Sequence, residues 1–192
     1  FGKEENWREK IVIYPDVVEG IKLLKKNLNY YMIVASNQAG VARGFFNLER
    51  VFEINNHIDQ YLKSKGITID EWYFCPFITQ EYANEKKITP NNPWIKETNL
   101  RKPEIGMLEQ AAKDFRKKLE DFKVYFIGNK LNDVQTGLNA NGTGILIKRE
   151  DNQYYKKEKI LSLKNQSPDR VFEFKDMIEA AQLIISQNKT SK

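Results

Sequence analysis

The sequence predicts an α/β fold built on a doubly wound parallel sheet, Rossmann-like in plan, and three observations predict it. Short apolar runs of strand length recur at Met32 to Ala35, Trp72 to Cys75, Val124 to Ile127 and Ile145 to Ile147. Segments with apolar residues at helical spacing separate them, and strands alternating with crossovers of that length imply parallel pairing and right-handed connections. The runs also stop abruptly at polar residues, Ser36-Asn37-Gln38 after the first and Gly128-Asn129-Lys130 after the third. In an open α/β sheet, ligands collect outside the carboxyl ends of the strands, so a site is expected at those stops.

Taken in order, Phe1 to Lys10 is polar and irregular, with Trp7 as its one large anchor. Ile11 to Tyr14 reads as a short extended run, and Pro15-Asp16 as a helix start with Asp16 as the N-cap. Val17, Ile21, Leu24 and Leu28 then share one helix face. After the Met32 strand a glycine-spaced loop, Ala39 to Gly44, delivers Arg43. A second helix is expected from Asn47 or Leu48 to about Lys65, its stripe made by Val51, Ile54, Ile58, Tyr61 and Leu62, with Gly66 ending it. Pro76 closes the second strand. From Pro76 to Pro103 there is no periodicity, only Pro90, Pro93 and an Asn91-Asn92 pair, which suits a lid or binding loop. A third helix is expected over about Glu104 to Glu120, and a short one over Asn132 to Asn139. Gly142 to Gly144 feeds the last core strand. Asp151 to Arg170 reads as a lysine-rich surface excursion, Val171 to Phe174 as an edge strand, and Phe174, Ile178, Ala181 and Ile185 as the stripe of a closing helix. The expected organisation is one domain over 1–187, with a tail over 188–192.

Composition bounds the function. A chain of 192 residues suits one full core. Its 31 basic and 26 acidic residues give +5, but both signs are scattered. The basic clusters, Arg116 to Lys118 and Lys156-Lys157, are short, which favours a solvated face over a nucleic-acid stripe. The single cysteine, Cys75, excludes an internal disulfide. No apolar run nears the roughly 20 residues of a membrane span. These features lead us to expect a soluble, cytoplasmic monomer with no membrane partner.

Three polar clusters fall at comparable places: Ser36-Asn37-Gln38 with Arg43, Arg101-Lys102-Pro103, and Gly128-Asn129-Lys130 with Asp133. Parallel strands bring such clusters to one edge. Together they offer a hydroxyl, amides, cations and a carboxylate. That inventory suits phosphoryl transfer, where catalysis is mostly positioning and charge stabilisation. Ser36 and Lys102 are the candidate catalytic residues, one hydrogen-bonding a phosphoryl oxygen and the other neutralising its charge. Asn37, Gln38, Arg43, Arg101 and Lys130 are candidates for gripping substrate. Asn129, backed by Asp133, is a candidate oxygen ligand for Mg²⁺.

In order and spacing, Ser36, Lys102 and Gly128-Asn129-x-x-x-Asp133 resemble three motifs of the haloacid dehalogenase (HAD) superfamily of phosphatases. SNQAGVARG from Ser36, Cys75-Pro76, RKPEIGML from Arg101 and IGNKLNDV from Ile127 are similar to its heptose bisphosphate and histidinol-phosphate phosphatase branch, over about Tyr14 to Lys148. The resemblance implies a HAD-type fold with a long loop, 76–103, in place of a large cap. It also implies Mg²⁺-dependent hydrolysis of a small phosphorylated metabolite, a heptose bisphosphate or histidinol phosphate, through an aspartyl-phosphate.

Three departures stand out. No two aspartates are separated by a single residue; the family's nucleophilic Asp-x-Asp is expected upstream of Phe1, the alternative being a natural protein that lacks it. Asn129 stands where the family has a metal-ligating aspartate, which brings no charge and should lower metal affinity. The branch often carries a zinc site in the long loop, but one cysteine and one distant histidine cannot make four ligands, so no structural zinc is expected. Trp94, Ile95, prolines and hydrogen bonds must hold that loop instead, and His57 reads as a boundary histidine. Two other functions stay open: a pseudo-phosphatase that binds phosphate esters without turnover, and a polynucleotide 3′-phosphatase, whose Tyr-Pro and Ser-Asn-Gln pattern is matched at Tyr14-Pro15 and Ser36 to Gln38.

Overall fold

Apolar runs and helical stripes settle into five strands and eight α-helices across residues 2–149 and 155–189, which the computed structural model describes. β1 (Ile33–Asn37) pairs in parallel with β2 (Glu71–Cys75), from Ile33 opposite Glu71 to Asn37 opposite Cys75. β3 (Tyr125–Gly128), β4 (Thr143–Ile147) and β5 (Val171–Phe174) form a second parallel set with β4 in the middle. Parallel strands need both faces covered, and both are. Ile145 and Ile147 pack with Val18, Ile21 and Leu24 of α1 (Pro15–Asn27) and Ala181 and Ile184 of α8 (Met177–Lys189). Leu146, pointing the other way, packs with Val134 of α6 (Leu131–Asn139) and Ile160 of α7 (Lys157–Gln166). Gly20 permits the α1–α8 approach, because a Cβ there would lie 2.6 Å from Met177.

β1 differs from β4. Every residue of β4 is buried, whereas every residue of β1 is only half-buried. Gln38 N donates to Cys75 O and Met32 O accepts from Asp70 N, each at 2.8 Å, so the even-numbered residues turn their backbone groups toward β2. By the two-residue period, Ile33, Ala35 and Asn37 turn theirs to the opposite edge. Among the described residues no strand pairs with that edge.

Local structure corrects several expectations. Ile11 to Tyr14 forms no strand, and Val12 is 70% exposed, because no strand pairs with it. Asp16 does not cap its own helix: Tyr14 is the N-cap and Pro15 opens α1. Asp16 instead accepts the Met177 amide at 2.8 Å, at the start of α8, and meets Arg149 at 2.7 Å. The expected loop after β1 winds into a one-turn helix, α2 (Ala39–Ala42). α3 (Leu48–Ser64) starts as expected, with Asn47 accepting Arg50 N. The helix expected to reach Glu120 is shorter: α5 spans Gly106–Asp114, and Arg116 at φ 58 breaks it as Lys117 N bonds back to Ala112 O at 2.9 Å.

The insertion after Pro76 is folded. Thr79 caps α4 (Gln80–Glu85), Ile78 bridges to Ile95, and Ile78 and Ala83 bury against Trp94, Ile95 and Ala42. The excursion over 151–170 is more than surface, since Ile160 of α7 is buried; residues 150–154 lie outside the described set. Of the tail expected over 188–192, Asn188 and Lys189 belong to α8, with Asn188 donating to Tyr125 Oη at 3.1 Å; residues 190–192 are likewise outside the described set.

Candidate functional site

Chain segments far apart in sequence meet at the carboxyl ends of β1 and β3. Asn37, the last residue of β1, donates to Lys102 O and accepts from Lys102 N, both at 3.0 Å, clamping the Arg101-Lys102 backbone beside Ser36. Asn132 Nδ2 donates to the same Lys102 carbonyl at 3.3 Å. So fixed, the Lys102 side chain runs to the open edge of β1 and donates to Ala35 O at 2.7 Å. The same Nζ lies 2.7 Å from Asp133 Oδ1 and 5.1 Å from the centre of the Phe126 ring.

Asp133 is buried and held from two sides. Its Oδ2 accepts the amides of Asn129 at 3.1 Å and Lys130 at 2.9 Å, the reciprocal cap that starts α6. Its Oδ1 faces Lys102. Gly128 is required here, because a Cβ at that position would collide with this carboxylate. Two of the three donors on the Lys102 ammonium are thus engaged, which leaves one for an incoming oxygen. Ser36 Oγ accepts from Gln38 Nε2 at 3.0 Å, so its hydroxyl hydrogen is available to donate. The arrangement presents donors and one compensated cation to a small anion.

The sequence candidates are therefore placed unequally. Asn37, Lys102 and Asp133 are joined directly, Ser36 and Gln38 bond each other on either side of Asn37, and Asn129 and Lys130 are exposed at the start of α6. Arg101 faces the insertion: it donates to Phe77 O at 2.9 Å and lies over Tyr82, and burial pulls its guanidinium below its usual pKa. Arg43 is exposed and lies 4.2 Å from the centre of the Phe45 ring. Asn132, Phe126 and Asn92 escaped sequence reasoning. Asn132 sits inside the IGNKLNDV stretch, and Asn92 in a pair that reads as a turn. The donor set does not by itself make a metal site. Among the described residues no group of three or more His, Cys, Asp or Glu could hold an ion, and both Asp133 oxygens already have partners.

The chain is similar to known proteins in sequence and in fold. The profile of the polynucleotide kinase 3 phosphatase family matches residues 2–172. A D-glycero-alpha-D-manno-heptose-1,7-bisphosphate 7-phosphatase from Burkholderia mallei is 31% identical over 140 residues, 72% of this chain and 68% of that protein. A D-glycero-D-manno-heptose-1,7-bisphosphate 7-phosphatase from Chlorobaculum tepidum is 29% identical over 157 residues, 79% of this chain and 73% of that one. The match covers only 61% of the Haemophilus influenzae relative, at 27% identity over 65% of this chain. In fold, the chain resembles the D,D-heptose 1,7-bisphosphate phosphatase of B. bronchiseptica, solved with magnesium and phosphate: TM-score 0.67 at 22% identity, over 97% of this chain and 89% of that one.

Proposed function

Because this chain belongs to the polynucleotide kinase 3 phosphatase family, within the HAD superfamily, we propose that it serves a phosphomonoesterase that removes phosphate from a small phosphorylated sugar, a heptose bisphosphate first. The observation that carries this reading is the Lys102 ammonium held between Ala35 O, next to Ser36 at the end of β1, and Asp133 at the start of α6, after β3. The heptose bisphosphate phosphatases among the relatives point to the sugar. The phosphoryl group lies between Ser36 and Lys102: Ser36 donates to one oxygen, and Lys102 places its remaining N–H and its charge on another. Such donors stabilise charge as it grows on the oxygens during transfer. Asn37 and Asp133 hold Lys102 still, so no reorganisation is needed at the moment of reaction. Gln38 orients the Ser36 hydroxyl.

The sequence holds no Asp-x-Asp, so the reading assigns the nucleophile to a strand outside these 192 residues. The edge of β1 with which no described strand pairs supports that assignment. Lys102 Nζ bonds Ala35 O on that edge, and the assigned strand would take that carbonyl over, leaving Asp133 as the partner of the lysine side chain. Mg²⁺ belongs to the same proposal. The residues present do not form its site alone, and the reading leaves its carboxylate ligands to the nucleophile pair, with Asn129 as this chain's own oxygen. The test is phosphate release by the chain expressed with its natural upstream residues, in millimolar Mg²⁺, from heptose 1,7-bisphosphate, histidinol phosphate and a 3′-phosphorylated oligonucleotide. Release from the sugar bisphosphate is expected, and a folded preparation that releases phosphate from none of them overturns the reading.

Two other outcomes of that assay each have an observation in their favour. The neutral Asn129 favours a pseudo-phosphatase, which would bind the esters without turnover until Asn129→Asp restored it. The family's description and the net charge of +5 favour a polynucleotide 3′-phosphatase, whose affinity for the oligonucleotide would fall steeply with salt.

A further inference from the structure

Asn132 and Asn139 are the second and last residues of α6, and each donates to a backbone carbonyl of the lysine segment. Asn132 Nδ2 donates to Lys102 O at 3.3 Å, and Asn139 Nδ2 to Pro103 O at 3.0 Å. A separation of seven residues is close to two helical turns, so both amides stand on one side of α6. Pro103 has no N–H, so its carbonyl is the only backbone group there that a neighbour can hold. With Asn37 on Lys102 N and O, side-chain amides meet all three backbone polar groups of Lys102-Pro103. Neither residue lies in a helix or strand, so the side chains that satisfy the segment set its place. α6 also holds the far end of the same lysine, since Asp133 Oδ1 lies 2.7 Å from Lys102 Nζ. Both asparagines are exposed, and asparagine is a poor helix former, so the helix itself has no use for them at these places.

We propose that Asn139, paired with Asn132, is a positioning residue for the Lys102 ammonium. Asn139 acts through the residue that follows the lysine rather than on the lysine side chain. A single bond to Lys102 O would let the segment pivot about that carbonyl. Two bonds from one rigid helix fix its direction, and the same helix carries the carboxylate that receives the ammonium. Backbone and charge are thereby held in one frame, and Lys102 needs little reorganisation to meet an anion. The inference rests on the reading of Lys102 as the phosphate-binding cation, and it makes the last turn of α6 part of that site's support.

The test uses the full chain and two measurements. In calorimetry with inorganic phosphate, Asn139→Ala is expected to weaken binding about three- to tenfold, the size of one hydrogen bond. Asn139→Gln, which keeps a donor amide, should recover part of that loss. Asn188→Ala is the control: it removes a helix amide that meets Tyr125 Oη at 3.1 Å, and it should leave phosphate affinity unchanged. In urea unfolding, Asn139→Ala and Lys102→Met should be non-additive by about threefold or more in the unfolding constant, because the clamp matters less once the ammonium is gone. Asn188→Ala and Lys102→Met should simply add. Unchanged phosphate affinity in Asn139→Ala, an equal loss in Asn188→Ala, or additivity of Asn139→Ala with Lys102→Met overturns the inference. If Lys102→Met does not fold, the calorimetry decides. A wild-type chain that binds no phosphate overturns the phosphate reading of the site instead, and the unfolding cycle then decides whether Asn139 positions the lysine.

Discussion

Lys102 and Asp133 form a buried ion pair, with 12% and 6% of their side chains exposed. Burying two charges gains little net stability, but leaving one alone is costly. Lys102→Met should therefore lose about 3–5 kcal/mol in urea unfolding, and adding Asp133→Leu should recover part of it, as a double-mutant cycle would show. A loss below about 1 kcal/mol in the single variant would mean that the pair is not formed. Asp16 is a second test. Burial works to raise its pKa, but the Arg149 guanidinium and the Met177 amide outweigh it, so the carboxyl sits below its ordinary value. A depressed carboxyl adds stability that is present above its unfolded pKa, about 3.9, and is lost as pH falls through the folded value. Asp16→Asn should cost about 1–3 kcal/mol at pH 7 and progressively less as pH falls below about 4, with the difference read from unfolding midpoints. The sequence showed Asp16 beside a helix start but not which helix it caps, because Met177 is 161 residues away. Local pattern carries no sign of a partner at that distance.

At the scale of elements, the insertion and α2 are where periodicity failed. The stripes of α1 and α3 were legible because each has a core face repeating over several turns. The insertion buries a few residues from a short helix and an isolated bridge, too few to make a period. Its stability comes from Ile78, Ala83, Ile95 and Trp94 together with Asn92. Trp94→Ala should cost about 2 kcal/mol and raise amide exchange across 78–96 more than in β4. The expectation of no structural zinc is tested by dialysis against a strong chelator, which should leave the melting temperature unchanged. A fall on chelation would show that a structural ion supports the insertion after all. The end of α5 was misjudged for a related reason: Phe115 and Leu119 continue the apolar spacing, but the backbone breaks at Arg116.

At the scale of the whole molecule, the alternation of strands and helices was legible throughout, and so were the three polar stops. What their spacing could not supply was the pairing. Asn37 with Lys102 joins residues 65 apart, and only the folded chain shows that this amide, rather than a catalytic group, aligns the lysine. The half-buried β1 and its unpaired edge are also tertiary facts. They focus the account on one place, between Ala35, Lys102 and the start of α6. The most direct test of that place is an amide chemical-shift titration of the chain with inorganic phosphate. The Ser36, Asn37, Gln38, Asn129 and Lys130 amides should move together and saturate, and Ser36→Ala should weaken the response. Saturating shifts confined to other residues, or no shifts in a folded sample, would contradict the central claim that phosphate is held at the ends of β1 and β3.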